Sequence, residues 1–154
     1  MKAMQILNKV VDNATLTKEL NTMTKETSYL VFSVFQSNVD DFTNYKNHLY
    51  IKTKLGNYKE IVGVYKDTAE LSFMVPFSEI HKVQEICTKF NQESYLELET
   101  NGLTTFASLV YLDDKAVEFL GVLTETIQEP ETDCYTYDQS NDKYYVTQKI
   151  SEVA

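Results

Sequence analysis

The sequence has few of the residues that cross-link or interrupt a chain. Its 154 residues include two cysteines, two prolines, four glycines and no tryptophan. Two cysteines do not make a disulfide framework, and so few glycines and prolines argue against long flexible linkers. No CxxC or HExxH pattern is present, and the two histidines lie far apart, so we expect no metal centre.

Long hydrophobic runs are also missing. No stretch of about 18 apolar residues exists that would span a membrane as a helix. The N-terminus, MKAMQILNKVVDNAT, lacks the long apolar segment and the cleavage signature of a signal peptide. We therefore expect a soluble, intracellular protein that does not bind a membrane.

Positive charge is scarce as well. Fourteen Lys and Arg residues face 23 Asp and Glu residues, which gives a formal net charge of −9. A protein that follows nucleic-acid phosphates needs clustered Lys and Arg, so this balance argues against one. Solubility, a cationic ligand and mimicry of an acidic polymer all remain compatible with the charge.

Hydrophobic residues make up 43% of the chain, enough for the core of one domain. We expect an N-terminal helical extension over residues 1–27 and a single α+β domain over residues 28–148. SYLVFSVFQ at 28–36 has aromatic and β-branched residues on both faces, which is typical of a strand covered on both sides. Asp40 or Asp41 can cap a helix that runs to about Leu55, with Gly56 as its stop.

Two strands are predicted next, over about 58–65 and at ELSFMVPF, followed by a helix capped by Ser78. That helix has one apolar stripe, formed by Ile80, Val83, Ile86, Cys87 and Phe90. Asn101-Gly102 favours a type I′ hairpin turn between two further strands.

The resulting order is β-α-β-β-α-β with extra C-terminal strands. This order predicts a ferredoxin-like (PII-like) sandwich with helices on one sheet face. The other face would need a partner, so we expect an oligomer packed sheet to sheet.

Common nucleophile and phosphate-binding motifs are absent: there is no GxSxG, GxxxxGK[ST] or GxGxxG. Polar and ionisable side chains instead gather in three short segments, residues 35–38, 63–73 and 91–94. Polar turn residues are most often merely solvated, so position alone does not distinguish a site from a surface loop.

Ordered fragments of the sequence resemble the bacteriophage S-adenosylmethionine lyases, formerly described as S-adenosylmethionine hydrolases. The resemblance covers about residues 29–148 and rests on the order and spacing of its pieces. These are YLVFSVFQSN at 29–38, GVY at 63–65, E-x-S-F at 70–73, F-x-QESYLEL at 90–98, LVY at 109–111, and CYT and YYV in the tail.

The resemblance implies a trimeric PII-like enzyme with sites between subunits and no metal or other cofactor. It would cleave S-adenosylmethionine into 5′-methylthioadenosine and L-homoserine lactone. Tyr65 and Glu70 match the catalytic residues, although Tyr58 in Gly56-Asn57-Tyr58 offers a second candidate tyrosine. Gln92 and Glu93 match substrate-binding positions. The implied setting is the cytoplasm of a phage-infected bacterium, where the protein would counter restriction. Family analogy also suggests an association with the host's S-adenosylmethionine synthetase.

Two other functions compete with this one. A PII-like module could bind a nucleotide without catalysis, although Lys59 and Lys66 alone give little support for a polyphosphate ligand. An acidic mimic of DNA could block restriction enzymes, but the acidic residues are interleaved with lysines and do not form rows.

Overall fold

Eight strands and two α-helices make up the described part of the chain. The structure is a computed structural model that describes residues 28–65, 68–132 and 134–148. The predicted N-terminal extension lies outside these residues. The strands are β1 (Ser28–Phe32), β2 (Lys59–Tyr65), β3 (Thr68–Pro76), β4 (Ser94–Asn101), β5 (Thr104–Tyr111), β6 (Val117–Thr126), β7 (Cys134–Asp138) and β8 (Lys143–Gln148). The helices are α1 (Asp41–Lys52) and α2 (Ile80–Lys89), and a 3₁₀ turn, Phe77–Glu79, precedes α2.

The strands form a closed antiparallel barrel in the order β1-β3-β2-β7-β8-β6-β5-β4. The predicted ferredoxin-like (PII-like) sandwich is therefore wrong, although the helices and strands follow one another along the chain as expected. Strands β5 and β6 extend the sheet from β4, while β7 extends it from β2. Pairing of β6 with β8 then closes the ring.

Barrel closure also removes the reason for expecting sheet-to-sheet oligomers. The sheet face opposite the helices is covered by the protein's own C-terminal strands. Inward side chains from several strands form an interior cluster whose members are Tyr29, Val31, Ile61, Leu98 and Ala107, with Met74, Leu96, Leu120 and Leu123 packed against them. A trimer therefore stays a prediction without support from an uncovered face.

Strand β1 is covered on both sides, as predicted. Tyr29 and Val31 face the barrel interior, while Leu30 and Phe32 pack outward among residues of both helices. Alternating side-chain direction along a strand produces this division. Cys87 lies in the outer cluster, fully buried, and burial raises the pKa of its thiol to about 12. This confirms the prediction that Cys87 lies on the apolar stripe of α2.

The helix ends test the predicted caps. The Asp40 side chain accepts a hydrogen bond from Thr43 N at 2.8 Å and caps α1, as predicted. Helix α1 ends at Lys52, with Thr53 as its cap, so the stop predicted at Gly56 is too late. No side chain caps α2, and the cap predicted at Ser78 is wrong, because the 3₁₀ turn occupies that position.

The β4–β5 hairpin has Gly102 and Leu103 as its two loop residues, because Asn101 pairs with Thr104. Gly102 has a φ of 68°, whereas neither Asn101 nor Leu103 has a positive φ. A type I′ turn needs positive φ at both central residues, so the predicted turn type is wrong. Among the described residues, no helix is long and apolar enough to cross a membrane.

Candidate functional site

The antiparallel registers give the barrel two distinct ends. Strands β1, β2, β3, β4 and β5 reach one end at Phe32, Tyr65, Thr68, Ser94 and Tyr111, and we call this the Glu70 end. The opposite end contains the start of β2, the end of β7 and the β4–β5 turn, and we call it the Lys59 end. Three of the four predicted site residues can be placed by their side chains, and all three lie at the Glu70 end.

Glu70 lies two residues inside the Glu70 end of β3 and is half-buried. Alternation along the strand puts its side chain on the same face as Met74, which packs with the interior cluster. Burial raises the pKa of its carboxyl above the ordinary value of 4.5. Within the described ranges, no residue donates a hydrogen bond to this carboxylate or forms an ion pair with it. A partly desolvated, unpaired carboxylate is costly, which is a common feature of ligand sites.

Gly63 lies directly across from Glu70 in the β2–β3 ladder. A Cβ atom at this position would lie 3.6 Å from Ser72 Oγ and 3.9 Å from the Glu70 carbonyl oxygen. These are ordinary van der Waals distances, so a methyl group would fit at Gly63, and glycine leaves that volume free opposite Glu70. Sequence analysis did not single out this glycine.

The two candidate tyrosines lie at opposite ends of β2. The Tyr65 backbone pairs with Thr68 at the Glu70 end, and its side chain is not among those described. Tyr58 precedes β2 and packs edge-on against Phe73, with ring centroids 5.8 Å apart. Five residues separate Tyr58 from Gly63, or roughly 17 Å of strand. The backbone therefore places Tyr65, and not Tyr58, near Glu70.

The Gln92–Glu93 corner begins with a backbone cap at the end of α2. Asn91 has a φ of 55°, and Gln92 N donates to Cys87 O at 2.9 Å while Asn91 N donates to Thr88 O at 3.2 Å. This pair of bonds is a Schellman motif, with asparagine in the left-handed position that glycine usually takes. The polar run after Phe90 is thus a helix stop as well as a candidate site.

The corner is tied to the end of β1. Gln92 Nε2 donates to Phe35 O at 2.7 Å and to Phe90 O at 3.3 Å, while Asn91 Nδ2 donates to Gln36 Oε1 at 3.2 Å. Both amide hydrogens of Gln92 are therefore used in hydrogen bonds to backbone carbonyls of the protein. Glu93 is exposed, and its backbone carbonyl accepts from Leu112 N at 2.9 Å, which leaves its carboxylate at the surface.

Ser33 links β1 to β3 and was missed by sequence analysis. Its hydroxyl is buried, donates to Leu71 O at 2.9 Å and accepts from Phe35 N at 3.0 Å. Leu71 is the neighbour of Glu70 in the chain. A single polar residue inside an apolar run was the available signal. The three polar segments predicted separately, 35–38, 63–73 and 91–94, are thus joined at one end of the barrel.

The Lys59 end holds a different arrangement, which sequence analysis also missed. Lys59 Nζ donates to Asp138 Oδ2, and both side chains are buried. Asp138 also accepts from Ser140 N at 3.1 Å, Ser140 Oγ at 2.7 Å and Asn141 Nδ2 at 3.0 Å. Burial opposes ionisation of Asp138, but Lys59 and these donors outweigh it and hold the pKa of the carboxyl below its ordinary 3.8. Lys59 is therefore not a free cation for a phosphate, and Lys66 lies outside the described residues.

A cavity of about 190 Å³ lies inside the barrel beside this ion pair. Its wall is mainly apolar, and Glu70 does not contribute to it. The lining residues are Tyr29, Val31, Lys59, Ile61, Met74, Leu96, Leu98, Thr100, Thr105, Leu123, Thr136, Asp138, Asn141 and Tyr145.

Another charged network lies outside the barrel, under α1. Glu60 is buried and contacts His48 Nε2 at 3.2 Å and Lys52 Nζ at 2.7 Å. The His48 ring stacks on Phe73 with centroids 4.1 Å apart, and burial lowers its pKa, partly offset by Glu60. This network attaches α1 to β2. Within the described ranges, no three His, Cys, Asp or Glu side chains form a group that could hold a metal ion.

Comparison with known proteins agrees with the resemblance seen in the sequence. The model of the S-adenosylmethionine lyase family matches residues 30–148, which is most of the chain and includes all eight strands except the first two residues of β1. A search of curated proteins found no match. The chain therefore belongs to the S-adenosylmethionine lyase family and is an enzyme of that kind.

Proposed function

We propose that this enzyme cleaves S-adenosylmethionine into 5′-methylthioadenosine and L-homoserine lactone at the Glu70 end of the barrel. The observation that carries the proposal is the inward-facing, half-buried Glu70 carboxylate, which no described residue neutralises. A cationic substrate supplies the missing charge, because an opposite charge within a few ångströms favours the ionised carboxylate.

The reaction needs no nucleophile from the protein. A carboxylate oxygen of the substrate attacks its own γ-carbon and forms the lactone C–O bond. The γ-carbon–sulfur bond breaks, and its electron pair goes to sulfur, which leaves as a neutral thioether. The sulfonium and carboxylate charges are both lost, while the α-ammonium stays on the lactone. The proposed scheme uses no cofactor.

The protein's main contribution is to fold the substrate for this attack. Effective molarities of well-oriented intramolecular reactions reach about 10⁵ M or more. Loss of two opposite charges is favoured where water is excluded, as in a half-buried site. The open space at Gly63, beside Glu70, leaves room for the bent methionine chain.

Glu70 is assigned to the α-ammonium of the substrate. That group keeps its charge throughout the reaction, so its ion pair with Glu70 is the same in the substrate and in the transition state. A carboxylate against the sulfonium would instead stabilise a charge that the reaction removes, and would slow it. Glu70 is thus an anchor that places the carboxylate of the substrate on the γ-carbon side.

The remaining predicted residues lie at the same end of the barrel as this anchor. Tyr65, whose backbone lies at the same end, is assigned to orient the substrate carboxylate through its hydroxyl. The exposed Glu93 carboxylate is assigned to the ribose hydroxyls. Gln92 supports the nucleoside side of the site through its bond to Phe35 O, because both of its amide hydrogens are already engaged.

The Lys59 end is a poor alternative for the same substrate. Its carboxylate already has Lys59 and three further donors. A sulfonium there would lie beside the Lys59 ammonium, and like charges repel. Charge complementarity therefore favours the Glu70 end.

The proposed setting is the cytoplasm of a phage-infected bacterium. Removal of S-adenosylmethionine would deprive host restriction and methylation enzymes of a cofactor or methyl donor. A homotrimer with sites between subunits and an association with the host's S-adenosylmethionine synthetase are part of this proposal, and family membership is what supports them.

Product analysis in H₂¹⁸O tests the chemistry. Early time points should contain 5′-methylthioadenosine and homoserine lactone without solvent oxygen, and ¹⁸O should enter only as the lactone hydrolyses later. Homoserine labelled with one ¹⁸O at its hydroxyl from the earliest time point would show direct attack of water and would contradict the lactonisation.

Substitutions test the location. Tyr65→Phe and Glu70→Gln should both lower kcat/KM for S-adenosylmethionine, while Glu118→Gln, at an exposed position on β6, should not. Near-normal rates in both Tyr65→Phe and Glu70→Gln would place the active site elsewhere.

A further inference from the structure

The cavity at the Lys59 end has no part in the proposed reaction, and its size is that of a ligand site. Its volume of about 190 Å³ exceeds that of an engineered apolar cavity of about 150 Å³ that binds benzene. It is smaller than the roughly 300–1,000 Å³ of pockets for drug-sized ligands. A ligand the size of one substituted ring would therefore fit.

The wall shows which part of a ligand would be apolar. The surface is mainly apolar, and inward side chains of four strands contribute to it: Val31, Ile61, Leu96, Leu98 and Leu123. Water in such a cavity would find few hydrogen-bond partners along this wall. Displacing it with an apolar body is favourable by the usual hydrophobic term.

The polar end of the cavity shows which polar group the ligand would have. The Asp138 carboxylate accepts four hydrogen bonds, so it has little capacity for another donor. The Lys59 ammonium has three hydrogens, and within the described ranges Asp138 is its sole acceptor. The pair can therefore still donate hydrogen bonds from Lys59 but has little capacity to accept them.

Charge limits the ligand further. Lys59 and Asp138 together are neutral, and both are buried. A ligand carboxylate would bind Lys59 only by placing a second negative charge close to Asp138. A ligand cation would face Lys59, and bringing either ion into the barrel costs desolvation that no second partner offsets.

We infer that the barrel cavity is a second ligand site, which takes a small neutral molecule with an apolar ring-sized body and one carbonyl or hydroxyl acceptor for Lys59. This site is separate from the Glu70 end. The assignment depends on the cavity, the ion pair and its hydrogen bonds, so it does not rest on the proposed reaction.

The test uses ¹⁹F NMR of the full chain with three fluorinated probes of similar size. 4′-Fluoroacetophenone has the neutral acceptor, fluorobenzene lacks it, and 4-fluorobenzoate is charged. The ketone should bind at least tenfold more tightly than either of the others. Its protons should show intermolecular NOEs to the methyl groups of Leu123 and Val31. Absence of ketone binding, or NOEs to other methyl groups only, would overturn the site.

The two comparison probes decide the ligand class. If fluorobenzene bound as tightly as the ketone, the ligand would need no acceptor for Lys59. If 4-fluorobenzoate bound more tightly than the ketone, the site would be one for anions. Either result contradicts the inference. Saturating S-adenosylmethionine should leave ketone binding unchanged. Competition would instead assign the cavity to the substrate and overturn a separate site, whatever product is formed.

Filling variants provide a matched control. Leu123→Phe adds volume at the cavity wall and should weaken ketone binding at least tenfold. Val122→Phe places the same aromatic side chain on the opposite face of β6, where its partner is Phe106, and should leave binding unchanged. Thr136→Leu narrows another part of the wall and serves if Leu123→Phe does not fold. Undiminished binding in a folded filling variant would contradict the proposed location.

Discussion

The two ends of the barrel each place a carboxylate on the inner side of the strands, and the two carboxylates differ in their partners. Asp138 has an ammonium and three further donors, and its pKa is lowered. Glu70 has no partner among the described residues, and burial raises its pKa. The first arrangement is complete within the protein, whereas the second, in the proposed function, is completed by the cationic substrate. The buried carboxylate is thus neutralised within the fold, and the half-buried one is the candidate for a ligand.

The largest expected effect on stability is at Lys59. Lys59→Met leaves the buried Asp138 carboxylate without its cation and should cost about 3–5 kcal/mol of unfolding free energy. Chemical denaturation measures this change. The control is Lys143→Met, which removes an exposed pair with Glu125 at 2.5 Å and should cost at most about 1 kcal/mol. A Lys59 variant as stable as the control would show that the pair does not support the fold.

The corresponding substitution at the Glu70 end should lower activity and leave stability intact. Glu70→Gln removes a charge that the fold disfavours, so stability should stay the same or rise. Catalysis should fall about 100-fold in kcat/KM, in line with loss of a charge-assisted contact of about 1.5–3 kcal/mol. Denaturation and 5′-methylthioadenosine formation are measured on the same preparation. A large loss of stability together with activity would make Glu70 a structural residue like Asp138.

Acid should affect the two ends in opposite directions. Glu70 has a raised pKa, so its stabilising contribution is complete below the ordinary 4.5 and is lost as pH rises through the raised value. Asp138 has a lowered pKa, so its contribution is present above 3.8 and is lost as pH falls further toward the lowered value. The acid limb of kcat/KM should therefore lie above pH 4.5, where Glu70 gains its proton, while the Asp138 contribution is still intact.

A kcat/KM profile recorded beside a pH series of unfolding free energies separates these effects. Glu70→Gln should abolish the acid limb in the residual activity without moving the unfolding that sets in below pH 3.8. Coincidence of the activity loss with unfolding would indicate that Glu70 titration is not what limits the reaction.

The smallest expected effect is at Gly63. Gly63→Ala places a methyl group 3.6 Å from Ser72 Oγ, an ordinary contact, at a position without positive φ. Stability should rise by roughly 0.5–1 kcal/mol because alanine loses less conformational freedom than glycine. Activity should fall roughly three- to tenfold, because the methyl group enters the space beside Glu70 and displaces the substrate. Unchanged activity would show that this space is not used.

Local features were predictable where the signal lay within a few residues. Side-chain periodicity predicted the apolar residues on both faces of β1 and the burial of Cys87. Helix-end chemistry predicted the cap at Asp40. The same approach failed at Ser78 and at Asn101-Gly102. At Ser78 a 3₁₀ turn precedes the helix, and at Asn101-Gly102 the two loop residues are shifted by one position. In both places the neighbouring backbone decided the geometry.

The family was identified from ordered fragments of sequence, and the family match confirms it. The candidate site residues were taken from the same fragments. Its assembly at one barrel end was not predicted, because it depends on contacts such as Gln92 to Phe35 and Ser33 to Leu71 across long separations. The catalytic and binding assignments of Tyr65, Glu70, Gln92 and Glu93 stay predictions.

The sequence by itself determined the family, the order of strands and helices, the cap at Asp40 and the apolar faces of β1 and α2. Only the tertiary structure decided that the sheet closes into a barrel, that Lys59 meets Asp138 79 residues away, and that Glu70 meets no such partner among the residues that the structure describes. Side-chain periodicity specifies which face of a strand is apolar. It does not specify which strand edges will pair, and in this protein that pairing separates a carboxylate with four hydrogen bonds from one that has no partner among the described residues.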